Sequence, residues 1–240
     1  MGVKTKFFAA LCFAAALFTS CSKDNNDEPK VKPTPGTEQP TPGTEQPTPE
    51  TAQIKHFETL MPGYDSWVYV DLETGKYEQQ EELGAREYRK YNTMTDYEVV
   101  KTEPAKGSEK DLPKKWDLAF HITDVRTNDG AVLMTDQTNI SSIKTLPQGD
   151  YVADVPSEIF VELGAMKAGG LMVVSKTMLN KEMAKWAKST GMGKPKIISD
   201  KVFAVKFKNG NEALILFKDY LDATGKKKAV SFDYKFIKKA

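Results

Sequence analysis

From Ile54 onward the dominant period of apolar side chains is two, which points to β-strands. Val230, Phe232, Tyr234 and Phe236 alternate with Ser231, Asp233 and Lys235, so this strand is expected to bury one face and wet the other. Val202 to Phe207 and Ala213 to Phe217 flank Asn209-Gly210. That pair predicts a hairpin with a type I′ turn, which needs positive φ at both central residues. Trp67 to Leu72 is a β-branched and aromatic run closed by Thr74-Gly75, and Trp116 to His121 is another, opened by Pro113. Ala131 to Met134, Tyr151 to Val155 and Ile159 to Leu163 are shorter candidates. One segment departs from the pattern. Leu179, Met183 and Trp186 are spaced i, i+4, i+7 opposite a lysine-rich face, which predicts a helix of about three turns. Ser175 or Thr177 is expected to cap it and Gly191 to end it. The expected fold class is all-β and mostly antiparallel, a sandwich or wrapped sheet with one or two short helices.

The chain ahead of this domain reads differently. Lys4 and Lys6 precede an apolar run from Phe7 to Phe18 that is too short to span a bilayer. The run leads into Leu17-Phe18-Thr19-Ser20-Cys21, which resembles a bacterial lipobox. Residues 1–20 are therefore expected to be a lipoprotein signal peptide and Cys21 the lipidated residue, with several acyl chains giving stable anchoring. Residues 21–53 are expected to be the lipidated cysteine and an unfolded tether. In it, Pro33-Thr34-Pro35-Gly36-Thr37-Glu38-Gln39 repeats from Pro40 to Gln46, a period of seven with no apolar position. Proline at this density favours extended polyproline II, which reaches ~3.1 Å per residue. Residues 54–240 form the folded domain. Lys23 to Glu28, just after the cysteine, resembles the surface-export signal of Bacteroidetes lipoproteins. The expected location is thus the outer membrane, exposed at the cell surface, with membrane contact only through the lipid anchor.

Several function classes are excluded or disfavoured. Cleavage leaves 32 basic against 33 acidic side chains, a net charge of −1, which does not suit a nucleic-acid binder. Cys12 leaves with the signal and Cys21 carries lipid, so thiol catalysis and disulfides are out. With only His56 and His121, a multi-histidine metal enzyme is improbable. There is no G-x-S-x-G, P-loop or H-E-x-x-H. His121, at the end of an apolar strand, reads as a satisfied core or rim residue, and no enzyme activity is expected.

Methionine is the unusual residue type. Five of nine fall between Met166 and Met192. Met178 and Met183 read as pliable core filler within the predicted helix. Met192, in Thr190-Gly191-Met192-Gly193-Lys194-Pro195, and Met166, in Gly164-Ala165-Met166-Lys167-Ala168-Gly169-Gly170, are set in glycine-rich loops with little core to fill. A thioether is a soft, neutral ligand suited to haem iron or Cu(I) and not to zinc, calcium or magnesium. As an axial ligand to haem it favours reduced iron. Two loops with one methionine each could hold a flat ring from both faces.

Trp116-Asp117-Leu118-Ala119-Phe120-His121, continuing to Asp124-Val125-Arg126-Thr127-Asn128, resembles a block of the HmuY-like haem-binding lipoproteins, surface haemophores of Bacteroidetes. Gly149-Asp150-Tyr151, Ser199 to Phe203, Phe217 to Tyr220 and Val230 to Tyr234 extend the resemblance over most of residues 60–236. It implies a β-rich hand closing on haem b (iron protoporphyrin IX), with two axial ligands on loops of the second half. His121 is not a ligand in that family, and no histidine follows it. By resemblance Met192 falls in the second ligand loop, although Gly193-Lys194-Pro195 departs from the Met-Pro-Pro of methionine members. Met166 is the best match for the first ligand and Met172 the runner-up. Haem taken from host haemoproteins would pass to a TonB-dependent outer-membrane receptor. The alternatives are a surface glycan-binding module of a polysaccharide-uptake system, with Trp67, Trp116 or Trp186 stacking on sugars, or an HmuY-like structural or adhesive protein that has lost haem binding.

Overall fold

The computed structural model describes residue 48 and residues 51–93, 95–191, 194–222, 224–225 and 227–239. The signal peptide, Cys21 and nearly all of the tether lie outside the described residues, as does Met192. The strands, in chain order, are β1 (Ile54–Leu60), β2 (Ser66–Asp71), β3 (Lys76–Glu81), β4 (Arg86–Tyr91), β5 (Tyr97–Glu103), β6 (Leu118–His121), β7 (Asp124–Thr127), β8 (Ala131–Met134), β9 (Val152–Ala153) and β10 (Val155–Glu162). After α1 (Gly164–Gly169), the one α-helix among the described residues, come β11 (Leu171–Leu179), β12 (Ala187–Lys188), β13 (Ile197–Ile198), β14 (Phe203–Lys206), β15 (Glu212–Leu221) and β16 (Lys227–Ile237). The fold is mostly antiparallel β.

Three sheets stack. The middle one has the order β3-β2-β6-β7, and its two faces feed two different cores. Val68, Val70, Leu118, Phe120 and Val125 pack against Phe203, Phe217 and Phe232 of the six-stranded sheet β1-β16-β15-β14-β8-β9. Trp67, Tyr69 and Ala119 point the other way, onto Tyr88, Ile159, Val161 and Val173 of the sheet β10-β11-β4-β5. A strand covered on both faces has no wet side, which is why Trp67 to Val70 reads as a continuous apolar run. A two-stranded ladder, β12-β13, completes the set.

Several expectations fail for physical reasons. The helix predicted through Leu179 to Trp186 is a strand followed by one 3-10 turn, Met183–Trp186. Val173, Val174 and Thr177 favour the extended chain, and β11 is bonded to β10 on one side and β4 on the other. The helical spacing arose because Leu179 ends the strand in one core while Met183 and Trp186 enter the other. Met183 is buried as expected, but Met178 is exposed. The Asn209-Gly210 hairpin forms with a longer loop. Gly210 N donates to Phe207 O (3.0 Å), Phe207 N donates to Asn211 O (2.9 Å), and only Gly210 of the pair has positive φ (83°). This is a type I turn closed by a left-handed glycine. On β16, Ser231 and Lys235 are buried as well, so the wet face is narrower than the alternation implied.

Candidate functional site

The block from Trp116 to Asn128 is hydrogen-bonded throughout the middle sheet. Asp117 N donates to Val70 O (2.8 Å), and its carboxylate accepts from Leu72 N (2.8 Å). Burial pushes this carboxyl up to about 6. His121 Nε2 donates to Tyr64 O (2.7 Å) and Nδ1 faces Asp124 at 3.3 Å, so the histidine is a satisfied core residue. Asn128 Nδ2 donates to Trp116 O (2.9 Å). The Arg126 guanidinium lies 4.7 Å from the Trp67 ring, 5.1 Å from Tyr69 and 5.4 Å from Trp116, and it donates to the Tyr69 hydroxyl. A cation enclosed by three aromatic faces is held by their quadrupoles as well as by hydrogen bonds. Burial pushes the Tyr69 phenol up to about 12. Most polar groups of this block are thus spent on neighbouring backbone and rings, while Arg126 Nε is buried without a hydrogen-bond partner among the described residues. Trp67 and Trp186 are fully buried and Trp116 is half-buried beside Arg126, so of the three indoles only Trp116 reaches the surface.

The methionines lie elsewhere. The loop expected around Met166 is instead α1, a short helix closed by Gly170 in the left-handed conformation (φ 67°), whose N–H reaches Ala165 O and Met166 O. Met166 is 41% exposed on it. Across the glycine turn, Met172 is half-buried on β11, opposite Arg89 of β4. Together with Tyr91, Asn92 and Thr93 it lines an open cleft of about 520 Å³. The wall is braced: Tyr91 and Tyr97 rings lie 5.1 Å apart, and the Arg89 guanidinium sits 4.3 Å from the Tyr97 ring. Arg89 is held by Glu87 (3.0 Å from Nε) and Glu158 (2.7 Å), and holds both carboxyls below the usual range. Residues 189–196 join β12 to β13. Among the described residues of this connection, Thr190 Oγ1 donates to Pro195 O (2.6 Å) and Lys194 N donates to Gly191 O (3.2 Å).

A second cleft, about 630 Å³, opens beside the β12-β13 ladder. Met134, Ala184 and Ile197 give it an apolar surface, and Lys181, Lys185, Lys188 and Lys201 line it too. Neither Tyr91 nor Met134 was signalled by sequence, because a tyrosine at a strand end and a methionine in a strand look like ordinary packing residues. Among the described residues no group of three His, Cys, Asp or Glu is placed to hold a metal ion, and no helix is long and apolar enough to cross a membrane.

Residues 63–234 match the family model for the HmuY protein. The chain belongs to the HmuY family. Solved structures agree with that membership. Apo PinO from Porphyromonas gingivitis is 68% identical, with a TM-score of 0.76 over 79% of this chain and 100% of that one. The apo HmuY analog of Tannerella forsythia (TFO) is 34% identical, with a TM-score of 0.72 over 78% and 97%. A protein of Bacteroides vulgatus, proposed to be HmuY-like and haem-binding, is 27% identical, with a TM-score of 0.62 over 82% and 100%. Comparison with curated proteins found no match. Within this HmuY-family domain, Met166 and Met172 sit at the two ends of one turn on one hairpin. Met192, in the connection between β12 and β13, lies outside the described residues.

Proposed function

We propose that this HmuY-family chain is a surface-exposed lipoprotein, anchored through Cys21, that binds haem through axial methionines and hands it on for iron uptake. The observation that carries the reading is Met172, a half-buried thioether on the wall of an open, aromatic-braced cleft, with Met166 exposed just before it. The cleft volume falls within the roughly 300–1,000 Å³ common for small-molecule sites. Soft sulfur matches haem iron, and no histidine follows His121 to compete for it. Met192 is the candidate for the opposite face, Met166 the first choice and Met172 the second for the near face. A TonB-dependent receptor as acceptor and host haemoproteins as donors belong to the same proposal, which is one of capture, without catalysis.

Haemin titration with and without dithionite tests it. The wild-type chain is expected to give saturable low-spin Soret and Q bands. Met192→Ala and one of Met166→Ala or Met172→Ala should each lose the low-spin form. A low-spin spectrum retained in all three variants would remove the ligand assignment, and no saturable change in the wild type would remove haem binding.

A further inference from the structure

Both methionine-bearing hairpins are rooted at one buried polar node. The first hairpin is β10-α1-β11, which carries Met166 and Met172; the second is β12-β13, whose connection carries Met192. Asn180 is the residue that leaves β11 and leads into the turn Met183–Trp186, and it is fully buried. Every polar group on it is used. Its N–H donates to Val125 O (2.8 Å) and its carbonyl accepts from Ala184 N (3.0 Å). Its Nδ2 donates to Val152 O (2.9 Å) and to Asp154 Oδ1 (3.0 Å), and its Oδ1 accepts from Met183 N (2.9 Å). Asp154 sits where β9 passes into β10, the other leg of the first hairpin. Its carboxylate also accepts from Thr127 N (2.8 Å) and Thr127 Oγ1 (2.9 Å), which ties it to the middle sheet. The second hairpin is tied to the same edge, because Trp186 Nε1 donates to Thr123 O (3.0 Å) in the turn between β6 and β7.

A saturated buried network of this kind rigidifies what it joins, and losing one member leaves the others unpaired in low dielectric. The node lies at the only covalent passage from the first hairpin to the second, and it fixes that passage against β7. We propose that Asn180 and Asp154 act as positioning residues, a clamp that fixes the end of β11 and the turn Met183–Trp186 against β7 and so sets the orientation of the hairpin that carries Met166 and Met172 for ligand binding. The ligand-binding role rests on the haem reading above; the clamp itself does not.

The test combines amide hydrogen exchange with haemin binding on the full chain. Asp154→Asn keeps the volume and fold while turning one acceptor into a donor facing Thr127 or Asn180; Asn180→Ala is the harsher variant. Exchange at the Met183 and Ala184 amides, and across 187–188 and 197–198, should rise at least tenfold, with β2 and β16 unchanged. The haemin dissociation constant should rise at least tenfold while the bound spectrum keeps its wild-type maxima, since the ligands are intact. Exchange that stays unchanged, or rises equally in β2 and β16, overturns the clamp. A local rise with wild-type haemin affinity overturns the positioning role. If the wild-type chain binds no haemin, the haem reading falls, and the exchange pattern alone decides whether the clamp exists.

Discussion

Between Trp116 and Asn128 most of the polar groups are spent on neighbouring backbone and rings. Between Leu163 and Met172 there is a short helix without buried residues, a left-handed glycine and a half-buried thioether. The first region carries the sequence block that marks the family; the second carries the candidate ligands. The difference teaches that a recognisable motif here reports a scaffold. The Asp117, His121 and Arg126 side chains fix the central strands β2 and β6 of the middle sheet, whose residues Val68 to Val70 and Leu118 to His121 are buried. The residues free to meet a ligand lie on hairpins around that sheet, where few neighbours constrain their identity.

That contrast can be broken by stability measurements. Trp67→Ala should cost about 4 kcal/mol in urea denaturation, since it empties a fully buried site and removes one of the three rings around Arg126 and one of the donors to Glu82. Met166→Ala should stay within about 0.5 kcal/mol. Comparable costs for the two would erase the distinction between scaffold and site.

A smaller effect sharpens it. Asp117 titrates near 6 in the fold against an ordinary value of 3.8, because burial disfavours its charge. Its folded-state pKa is raised, so its contribution to stability is largest in acid and is lost as pH climbs from about 4 through 6. Between those limits the wild type should lose on the order of 1–2 kcal/mol relative to Asp117→Asn. Matched denaturation of the two proteins at pH 4 and pH 7 checks this, and a gap that does not change with pH would contradict it. Taking the difference removes the opposing slope from Glu73, held down to about 2 by Lys115 and Lys238.

Much of the scaffold was legible from residue order. The β-branched and aromatic run placed β2, the Asn-Gly signal placed β14 and β15, alternation placed β16, and His121 was read as a satisfied residue. What failed did so through tertiary context. Nothing local to Leu179, Met183 and Trp186 says that the first belongs to a different core from the other two, so a strand end and a single turn imitated a helix. Gly164 to Gly169 looked like a loop because two glycines flank it, yet the left-handed Gly170 gives a short helix a stopping place. The candidate site was legible only as residue type. Soft sulfur could be picked from composition, but the partners of Met172 in its cleft come from β4 and the turn after it, some eighty positions earlier in the chain, a proximity that pairing of β11 with β4 creates.

The reduction potential of bound haem addresses the methionine proposal most directly. A thioether axial ligand stabilises ferrous over ferric iron, so the midpoint should lie above that of free haemin in the same buffer. Met192→Ala, and whichever of Met166→Ala or Met172→Ala removes the second ligand, should lower it. A potential at or below that of free haemin, untouched by all three substitutions, would mean that sulfur does not hold the iron.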